Sequence, residues 1–301
     1  MSVIETEHLT RRYGSRTGVE RVSFRVAEGS LFGFLGPNGS GKTTTIRVLL
    51  GFLRPSEGRA SLFGRDCWHA GRQVRDDVGY LPGDLRLYPT WTGEQFLRLF
   101  GLIRRRDIAA AGRDLAERFA LDMAVPVRKM SRGMRQKLGL VLALAHEPRL
   151  LILDEPTASL DPLMQEQLLR HLRALAGKGH TVFFSSHSLS EVERLCDRVA
   201  ILREGRLVAD ETLETLRERA RRRFTIRWAQ VKDAADVDPP PFLTIDERRT
   251  RTWDGSLTGQ TPQLVRWAAT QPIEDLTIGH PDLDSLFRRY YRDGGPEAGA
   301  G

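Results

Sequence analysis

Cysteines and long apolar runs are scarce in this chain of 301 residues. The two cysteines, Cys67 and Cys196, are far apart and form no pair motif, so we expect a reducing, cytoplasmic environment without disulfides. The longest apolar run near the middle, residues 138–145, is far shorter than the roughly 20 residues that cross a bilayer. The N-terminus lacks the basic and apolar regions of a signal peptide. These absences argue against a secreted protein and against a membrane-spanning one.

Lysine is also rare, because only five of the 46 basic residues are lysine and the rest are arginine. The net charge is +7, and an arginine excess can indicate binding to nucleic acid or to an anionic membrane surface. The alternative is a bias toward arginine on solvated helices that carry Arg–Glu pairs. We favour this alternative and expect no nucleic-acid partner. The densest basic run, Arg217–Arg223, predicts a helix end that leads into a linker.

Strand and helix patterns alternate from Met1 to about Leu216, which predicts an α/β fold with a largely parallel sheet. Between two of the strands, apolar residues recur at three- and four-residue spacings, and they predict a helical insert at about 84–145. The short apolar runs that predict buried strands are Leu31–Leu35, Leu150–Leu153 and Thr181–Ser185.

The composition changes near residue 222, which predicts a first domain at 1–220 and a small accessory α+β domain at 221–293. The tail at 294–301 is rich in Gly, Ala and Pro and is expected to be disordered. The elements predicted for the accessory domain are a strand at Arg223–Trp228, a hairpin turn at Trp253–Ser256, a helix at Pro262–Thr270, a strand at Ile273–Ile278 and a helix at Asp282–Tyr291.

A glycine-rich loop fits the pattern G-x-x-x-x-G-K-[ST] and lies between a predicted strand and a predicted helix, as a phosphate-binding loop requires. Its glycines allow backbone N–H groups to surround phosphate oxygens, and the helix N-terminus adds positive potential. We expect Lys42 to reach the β- and γ-phosphates of ATP, the Thr43 hydroxyl to ligate Mg²⁺ and Thr44 to bond a phosphate oxygen. The residues expected to bind the nucleotide are Gly36, Pro37, Asn38, Gly39, Ser40, Gly41, Lys42, Thr43 and Thr44.

The apolar run Leu150–Leu153 ends in two carboxylates, Asp154 and Glu155. Acidic residues at the end of a buried strand are costly unless a cation lies there. We therefore expect Asp154 to hold Mg²⁺ through water and Glu155 to act as the base that polarises the attacking water. The alternative is a plain acidic turn before Pro156, which the preceding phosphate loop makes less favourable.

The ordered motifs of about residues 2–215 resemble those of ABC ATPases. The resemblance implies a P-loop NTPase core of ABC ATPase type, which binds ATP and Mg²⁺. It also implies that Tyr13 stacks on adenine, although an ordinary strand aromatic is the alternative, and that the His187 switch histidine contacts the γ-phosphate. With these roles, the expected catalytic residues are Glu155, His187 and Lys42. The sequence Ser159–Asp161 resembles the family's D-loop.

Two motifs depart from the family pattern. The signature, usually LSGGQ, reads MSRGM here, with Arg132 and Met134 in place of Gly and Gln. Ser131 and Gly133 remain, and the resemblance implies that they supply the hydroxyl and the close backbone approach to a γ-phosphate. Gly83 stands where the family usually has a Gln that helps to ligate Mg²⁺ and links the site to the permease, and we assign no role to Gly83.

The resemblance also implies the partners. In ABC ATPases the nucleotide lies between one chain's phosphate loop and another chain's signature, so we expect a homodimer or heterodimer of ATPase subunits. We also expect a separate transmembrane permease, and hence a location on the inner face of the cell membrane. Pro281–Phe287 resembles a C-terminal pattern of ABC-2-type exporter ATPases and favours export, although a capped amphipathic helix would look similar. The alternatives are the ATPase of an ABC importer and a soluble ABC protein that acts on ribosomes or DNA.

Overall fold

The computed structural model describes residues 2–230 and 237–293. The chain divides into two compact units, Met1–Thr212 and Leu213–Gly301. The sequence had suggested a division at residue 220, and the difference arises from a short helix whose Leu213 and Leu216 are buried in the second unit. Among the described residues, no helix is both long and apolar enough to cross a membrane.

The first unit opens with an antiparallel sheet that the sequence did not lead us to expect. Alternation of buried and exposed side chains fits a sheet that covers the core with one face. The strands, in the spatial order β2-β1-β4-β5, are β1 (Ser2–Tyr13), β2 (Arg16–Ala27), β4 (Glu57–Leu62) and β5 (Arg65–Asp66).

A second sheet of six strands forms the centre of the first unit and confirms the predicted parallel core. Its neighbouring strands run parallel except for β9 (Arg198–Arg203) and β10 (Arg206–Thr212), which pair antiparallel at one edge of the sheet. The three predicted strands are its β3, β7 and β8, which lie side by side, so their carboxyl ends meet at one edge. The strands, in the order β10-β9-β3-β8-β7-β6, are β3 (Leu31–Leu35), β6 (Val78–Leu81), β7 (Leu150–Asp154), β8 (Thr181–Ser186), β9 (Arg198–Arg203) and β10 (Arg206–Thr212).

The helices of the first unit include the predicted insert, which lies between β6 and β7. The insert begins with a capping box, in which Thr92 and Gln95 bond to each other's backbone N–H groups. Its helices are α3 (Gly93–Arg104), α4 (Ala109–Arg118) and α5 (Arg132–Leu144), with a 3₁₀ turn at Val127–Lys129. The helices are α1 (Lys42–Leu49), α2 (Gly71–Arg75), α3 (Gly93–Arg104), α4 (Ala109–Arg118), α5 (Arg132–Leu144), α6 (Pro162–Ala176) and α7 (Leu189–Leu195).

The core of the first unit contains aromatic rings and both cysteines. Phe24 of the antiparallel sheet packs on Phe32 and Phe183 of the parallel sheet, with ring centroids 5.6 and 6.0 Å apart. Cys67 and Cys196 are buried free thiols. Burial raises the pKa of Cys67 to about 12 and raises that of Cys196 as well. Both thiols therefore stay protonated and are poor nucleophiles.

The second unit contains an antiparallel sheet in the order β12-β13-β11-β14, packed around aromatic side chains. Trp228 and Trp253 are fully buried, with ring centroids 4.8 Å apart. Its elements are α8 (Leu213–Arg219), β11 (Arg222–Trp228), β12 (Leu243–Arg248), β13 (Thr252–Leu257), α9 (Thr261–Ala268), β14 (Ile273–Pro281) and α10 (Leu283–Asp293). The predicted strands and helices of this region are thereby confirmed.

Two local predictions for the second unit are wrong. Trp253–Ser256 is not a hairpin turn but lies inside β13, and the chain turns before it, where the Arg249 N–H donates to the Thr252 carbonyl. Gly255 serves packing instead, since an added Cβ there would lie 2.9 Å from the Phe224 ring. The run Arg217–Arg223 does contain a helix end, as predicted, but no linker follows, because α8 ends at Arg219 and β11 begins at Arg222. The predicted tail at 294–301 lies outside the described residues.

Candidate functional site

The glycine-rich loop joins β3 to α1 and takes a conformation that requires glycine. Gly39 and Gly41 have φ angles of 81° and 106°, in the region that side chains disfavour. A Cβ added to Gly41 would also lie 2.5 Å from Val19 Cγ1. The loop leads directly into the first turn of α1, whose N–H groups have no partner within the helix. These N–H groups and the helix dipole suit an anion such as a phosphate.

Lys42 lies at the centre of this loop with a side chain that is only 5% exposed. Its Nζ donates to the carbonyl oxygens of Gly36 and Pro37, at 2.6 and 3.3 Å. The same nitrogen lies 3.4 Å from Oε1 of Glu155. The ammonium group is therefore folded back over the loop, where its charge would meet phosphate oxygens.

Two oxygen-bearing side chains beside the loop suit a magnesium ion. The Thr43 hydroxyl donates to Oδ2 of Asp154 at 2.9 Å, and Asp154 is almost completely buried at the end of β7. Hydroxyl and carboxylate oxygens are the ligands that Mg²⁺ prefers. Among the described residues, no group of three or more His, Cys, Asp or Glu could hold a metal. Mg²⁺ is usually bound through one or two carboxylates together with waters and substrate phosphates, and the Thr43 and Asp154 oxygens suit that mode of binding.

Glu155 connects the loop to the end of a neighbouring strand. It is the first residue after β7 and has a φ of 51°, an uncommon value for a residue with a side chain. Its Oε2 lies 3.2 Å from Nδ1 of His187, while its Oε1 faces Lys42. His187 follows β8 and is more than half exposed. Lys42, which follows the loop after β3, and His187, which follows β8, thus converge on the carboxylate that follows β7.

Lys42, Thr43 and Glu155 border a cavity of about 420 Å³, which Tyr13 also lines, whereas Asp154 and His187 are not among its lining residues. The Tyr13 ring is 41% exposed, and the Arg11 guanidinium lies 4.9 Å from its centroid. The cavity is thus lined by an aromatic ring as well as by Lys42, Thr43 and Glu155. A larger cavity of about 780 Å³ is lined by none of the predicted site residues.

Comparison with known proteins identifies the family of this chain. Residues 19–158 match the family model described as ABC transporter. The chain is 36% identical over 228 residues to the bacitracin transport ATP-binding protein BcrA of Bacillus licheniformis, covering 73% of each chain. It is 34% identical over 300 residues to the daunorubicin resistance ATP-binding protein DrrA3 of Streptomyces coeruleorubidus, covering 95% of each. This chain belongs to the ABC transporter ATP-binding proteins.

Solved structures of ABC ATPases share the fold of the first unit. A structure of the ATP binding subunit of an ABC transporter matches with a TM-score of 0.67 and 33% identity, over 72% of this chain and 92% of that one. A dimeric bacterial ABC transporter cassette matches with a TM-score of 0.63 and 21% identity, over 70% and 98% of the two chains. The chain is thus the ATP-binding subunit of an ABC transporter and an ATP hydrolase, as the sequence predicted.

The signature of this ABC ATPase does not line the cavity that contains Lys42. Ser131 caps the N-terminus of α5 by accepting from the Met134 N–H at 3.1 Å. A Cβ added to Gly133 would lie 2.8 Å from the Ser159 carbonyl oxygen, and Ser159 has a φ of 66°. Within one chain, the signature therefore contacts the D-loop rather than the phosphate loop.

Gly83, to which the sequence assigned no role, lies beside the predicted metal carboxylate. A Cβ added there would be 3.3 Å from Oδ2 of Asp154. Gly83 lines a further cavity of about 710 Å³, together with Thr43, Asp154 and Glu155. Tyr80 lines it as well, and burial together with the Asp154 charge raises the pKa of Tyr80 to about 12. Position 83 thus leaves open the space that a longer side chain would fill.

Two polar residues of the site were missed by the sequence analysis. Gln136 of α5 is nearly buried, and its amide donates to the Pro156 carbonyl at 3.0 Å, just after Glu155. Ser185 of β8 is fully buried and donates to Oδ1 of Asp154 at 2.5 Å. A polar residue near the end of an apolar strand was the available signal for Ser185. Its partner could not be inferred before the order of the strands was known.

Proposed function

We propose that this ABC ATPase hydrolyses Mg-ATP where β3, β7 and β8 end, in the cavity that contains Lys42 and Glu155. The observation that carries the proposal is the arrangement around the Glu155 carboxylate. One of its oxygens lies 3.4 Å from Lys42 Nζ and the other 3.2 Å from His187 Nδ1. Basic groups from two strand ends can therefore orient this carboxylate for work on a water molecule.

The residues of the proposed site have separate roles. Lys42 stabilises charge on the β- and γ-phosphates, and the loop from Gly36 to Thr44 holds the phosphates through backbone N–H groups. Thr43 and Asp154 hold Mg²⁺, which when bound would neutralise phosphate charge. Glu155 accepts a proton from the attacking water, while His187 orients Glu155 and contacts the γ-phosphate. Tyr13 stacks on adenine at the far side of the cavity.

The complete site forms between two ATPase subunits. Ser131 and Gly133 lie outside the cavity that contains Lys42 of the same chain. In a dimer of the kind found for an ABC cassette, they would face the γ-phosphate held by the other subunit. Arg132 follows Ser131 in the first turn of α5, where it would add positive charge near that phosphate. The dimer is either a homodimer or a heterodimer.

The physiological role is export through a separate permease, which holds this subunit at the inner face of the cell membrane. The support is the similarity to a daunorubicin resistance protein over 95% of this chain, which includes the second unit. The pattern Pro281–Phe287 adds to it, with Asp282 capping α10 by accepting from the Ser285 N–H at 2.9 Å. We assign nucleotide chemistry to the first domain and assembly of the transporter to the accessory domain.

The test is to trap the dimer with Glu155→Gln. The amide keeps the shape of the side chain but cannot act as a base, so hydrolysis should stop while ATP binding persists. Size-exclusion chromatography with light scattering should then report a dimer in ATP and a monomer in ADP. Adding Ser131→Arg should break the dimer, because a bulky side chain would collide where the signature approaches the phosphate.

The matched control is Glu166→Gln, an exposed carboxylate of α6 that should leave turnover unchanged. Normal hydrolysis by Glu155→Gln would show that the base is elsewhere. A trapped dimer that survives Ser131→Arg would mean that MSRGM does not act as a signature.

A further inference from the structure

Ser185 carries a buried hydroxyl that bonds to the carboxylate of Asp154, at the end of β7, and to the backbone N–H of Glu155, which follows β7. It is the last but one residue of β8 and is paired in register with Asp154 of the parallel neighbour β7. Its Oγ donates to Oδ1 of Asp154 at 2.5 Å and accepts from the Glu155 N–H at 3.3 Å. A serine hydroxyl has one proton and two lone pairs, so it can make both bonds at once.

The two oxygens of Asp154 therefore have different partners. Oδ1 is bound to Ser185 in the interior, while Oδ2 is bound to Thr43 beside the cavity. The last torsion of an aspartate side chain has a broad, roughly two-fold energy profile, so the carboxylate alone does not fix its own plane. A charge-assisted hydrogen bond from a fully buried donor does fix it.

The next residue along the strand lacks these contacts. Ser186 is also buried, but its hydroxyl donates to Oε2 of Glu191 at 2.6 Å and accepts from the Ser188 N–H at 2.9 Å. Successive residues of a strand point to opposite faces, which separates the two hydroxyls. Ser186 thus supports the turn after β8, and it offers a matched control with the same chemistry on the same strand.

We propose that Ser185 is a positioning residue for the metal carboxylate: it holds Oδ1 of Asp154 inward so that Oδ2 faces Thr43, the residue with which Asp154 would hold Mg²⁺. This inference rests on the proposed role of Asp154 as the residue that holds Mg²⁺, and it adds a residue outside the recognised motifs.

The experiment measures metal binding directly, with Mn²⁺ as the probe and ADP as the nucleotide. Free Mn²⁺ is followed by electron paramagnetic resonance during titration of the full chain, and ADP affinity is measured separately in EDTA. Loss of a hydrogen bond to a metal-binding carboxylate typically weakens metal affinity by about 10- to 100-fold. We expect Ser185→Ala to weaken Mn²⁺ binding to that extent and to leave metal-free ADP affinity unchanged. Ser186→Ala should change neither.

A second variant guards against a folding defect in Ser185→Ala. Ser185→Cys nearly keeps the side-chain volume but has a weak S–H donor, so Mn²⁺ binding should again be weaker than in the wild type. Wild-type Mn²⁺ affinity in both variants would overturn the inference, as would an equal loss of metal-free ADP affinity. Asp154→Asn separates the two proposals, because unchanged Mn²⁺ affinity there would overturn the metal assignment of Asp154 itself.

Discussion

The two compact units of this ABC ATPase are built around different kinds of core. The first unit, Met1–Thr212, buries charged and polar side chains such as Lys42, Asp154 and Ser185 among its aliphatic and aromatic residues. In the described part of the second unit, the buried side chains are aliphatic or aromatic, with Trp228 and Trp253 at the centre. The contrast holds although both units contain sheets covered by helices.

The difference indicates where chemistry is carried out. Burial of a polar or charged group costs free energy unless hydrogen bonds or an opposite charge compensate it. The buried polar groups near the ends of β3, β7 and β8 compensate one another and border the cavities. The core of the second unit is largely apolar, although the indole N–H of Trp228 is buried without a hydrogen-bond partner among the described residues. We therefore expect this core to contribute stability rather than chemistry. Four substitutions test this division, from the largest expected effect to the smallest.

Trp228→Ala should destabilise the second unit by about 3–5 kcal/mol, the usual cost of truncating a buried Trp. Nucleotide affinity should not change, because the cavity that contains Lys42 is lined by residues of the first unit alone. Thermal unfolding followed by tryptophan fluorescence, together with ATP titration, measures both effects. Val265→Ala on the exposed face of α9 is the control and should change little. Loss of ATP binding by a folded first unit would contradict the division.

Lys42→Ala should lower ATP turnover by about 10²–10³-fold, because one preorganised donor to the transition state is lost. The protein should still fold, because removal of the ammonium group costs only its contact with Glu155 and its hydrogen bonds to two backbone carbonyl oxygens. Release of phosphate under saturating ATP is the measurement. Lys178→Ala changes an exposed lysine and should keep wild-type turnover. If Lys42→Ala also turns over normally, the loop is not the phosphate site.

His146 should make the stability of the first unit fall in acid. Burial, assisted by the Arg104 charge, lowers the pKa of His146 from 6.5 to about 4, so the unfolded chain takes up a proton first as the pH falls. The stability that depends on a neutral His146 is fully present above pH 6.5 and is lost as the pH falls toward 4. Between pH 7 and pH 5 the loss should be about 2 kcal/mol.

Urea unfolding at both pH values measures this loss. In His146→Gln, the loss of unfolding free energy between pH 7 and pH 5 should be smaller by about 2 kcal/mol. His280→Gln, at an exposed position of the second unit, should leave the pH dependence as it is in the wild type. An unchanged pH dependence in His146→Gln would exclude His146 as its source.

Tyr13→Ala should weaken ATP binding by about 1 kcal/mol, or roughly fivefold. The value lies at the low end of base stacking on aromatic side chains because the ring is 41% exposed. Tyr13→Trp preserves a stacking surface and should bind nearly as well as the wild type. Titration with a fluorescent ATP analogue compares the three proteins. Equal affinities would mean that Tyr13 serves packing alone.

Local sequence was sufficient for much of this protein. The glycine loop, the acidic end of β7 and the histidine after β8 are each encoded in a few consecutive residues, because a phosphate loop needs glycines and a lysine at fixed spacing. Apolar runs likewise predicted β3, β7 and β8, since strands buried on both faces are apolar throughout. Helical periodicity predicted the insert between β6 and β7. The family itself could be inferred from the order of these motifs.

Tertiary structure decided the rest, because it depends on which segments become neighbours. Ser185 acquires its partner only when β8 pairs with β7, and the space for a side chain at Gly255 is taken by the Thr244 carbonyl of the paired strand and by the Phe224 ring. The antiparallel sheet of the first unit likewise depends on pairing between β1 and β4, about 50 residues apart in sequence. Residue type and spacing fix local geometry, whereas contacts between distant strands depend on which strands lie next to each other in the sheet.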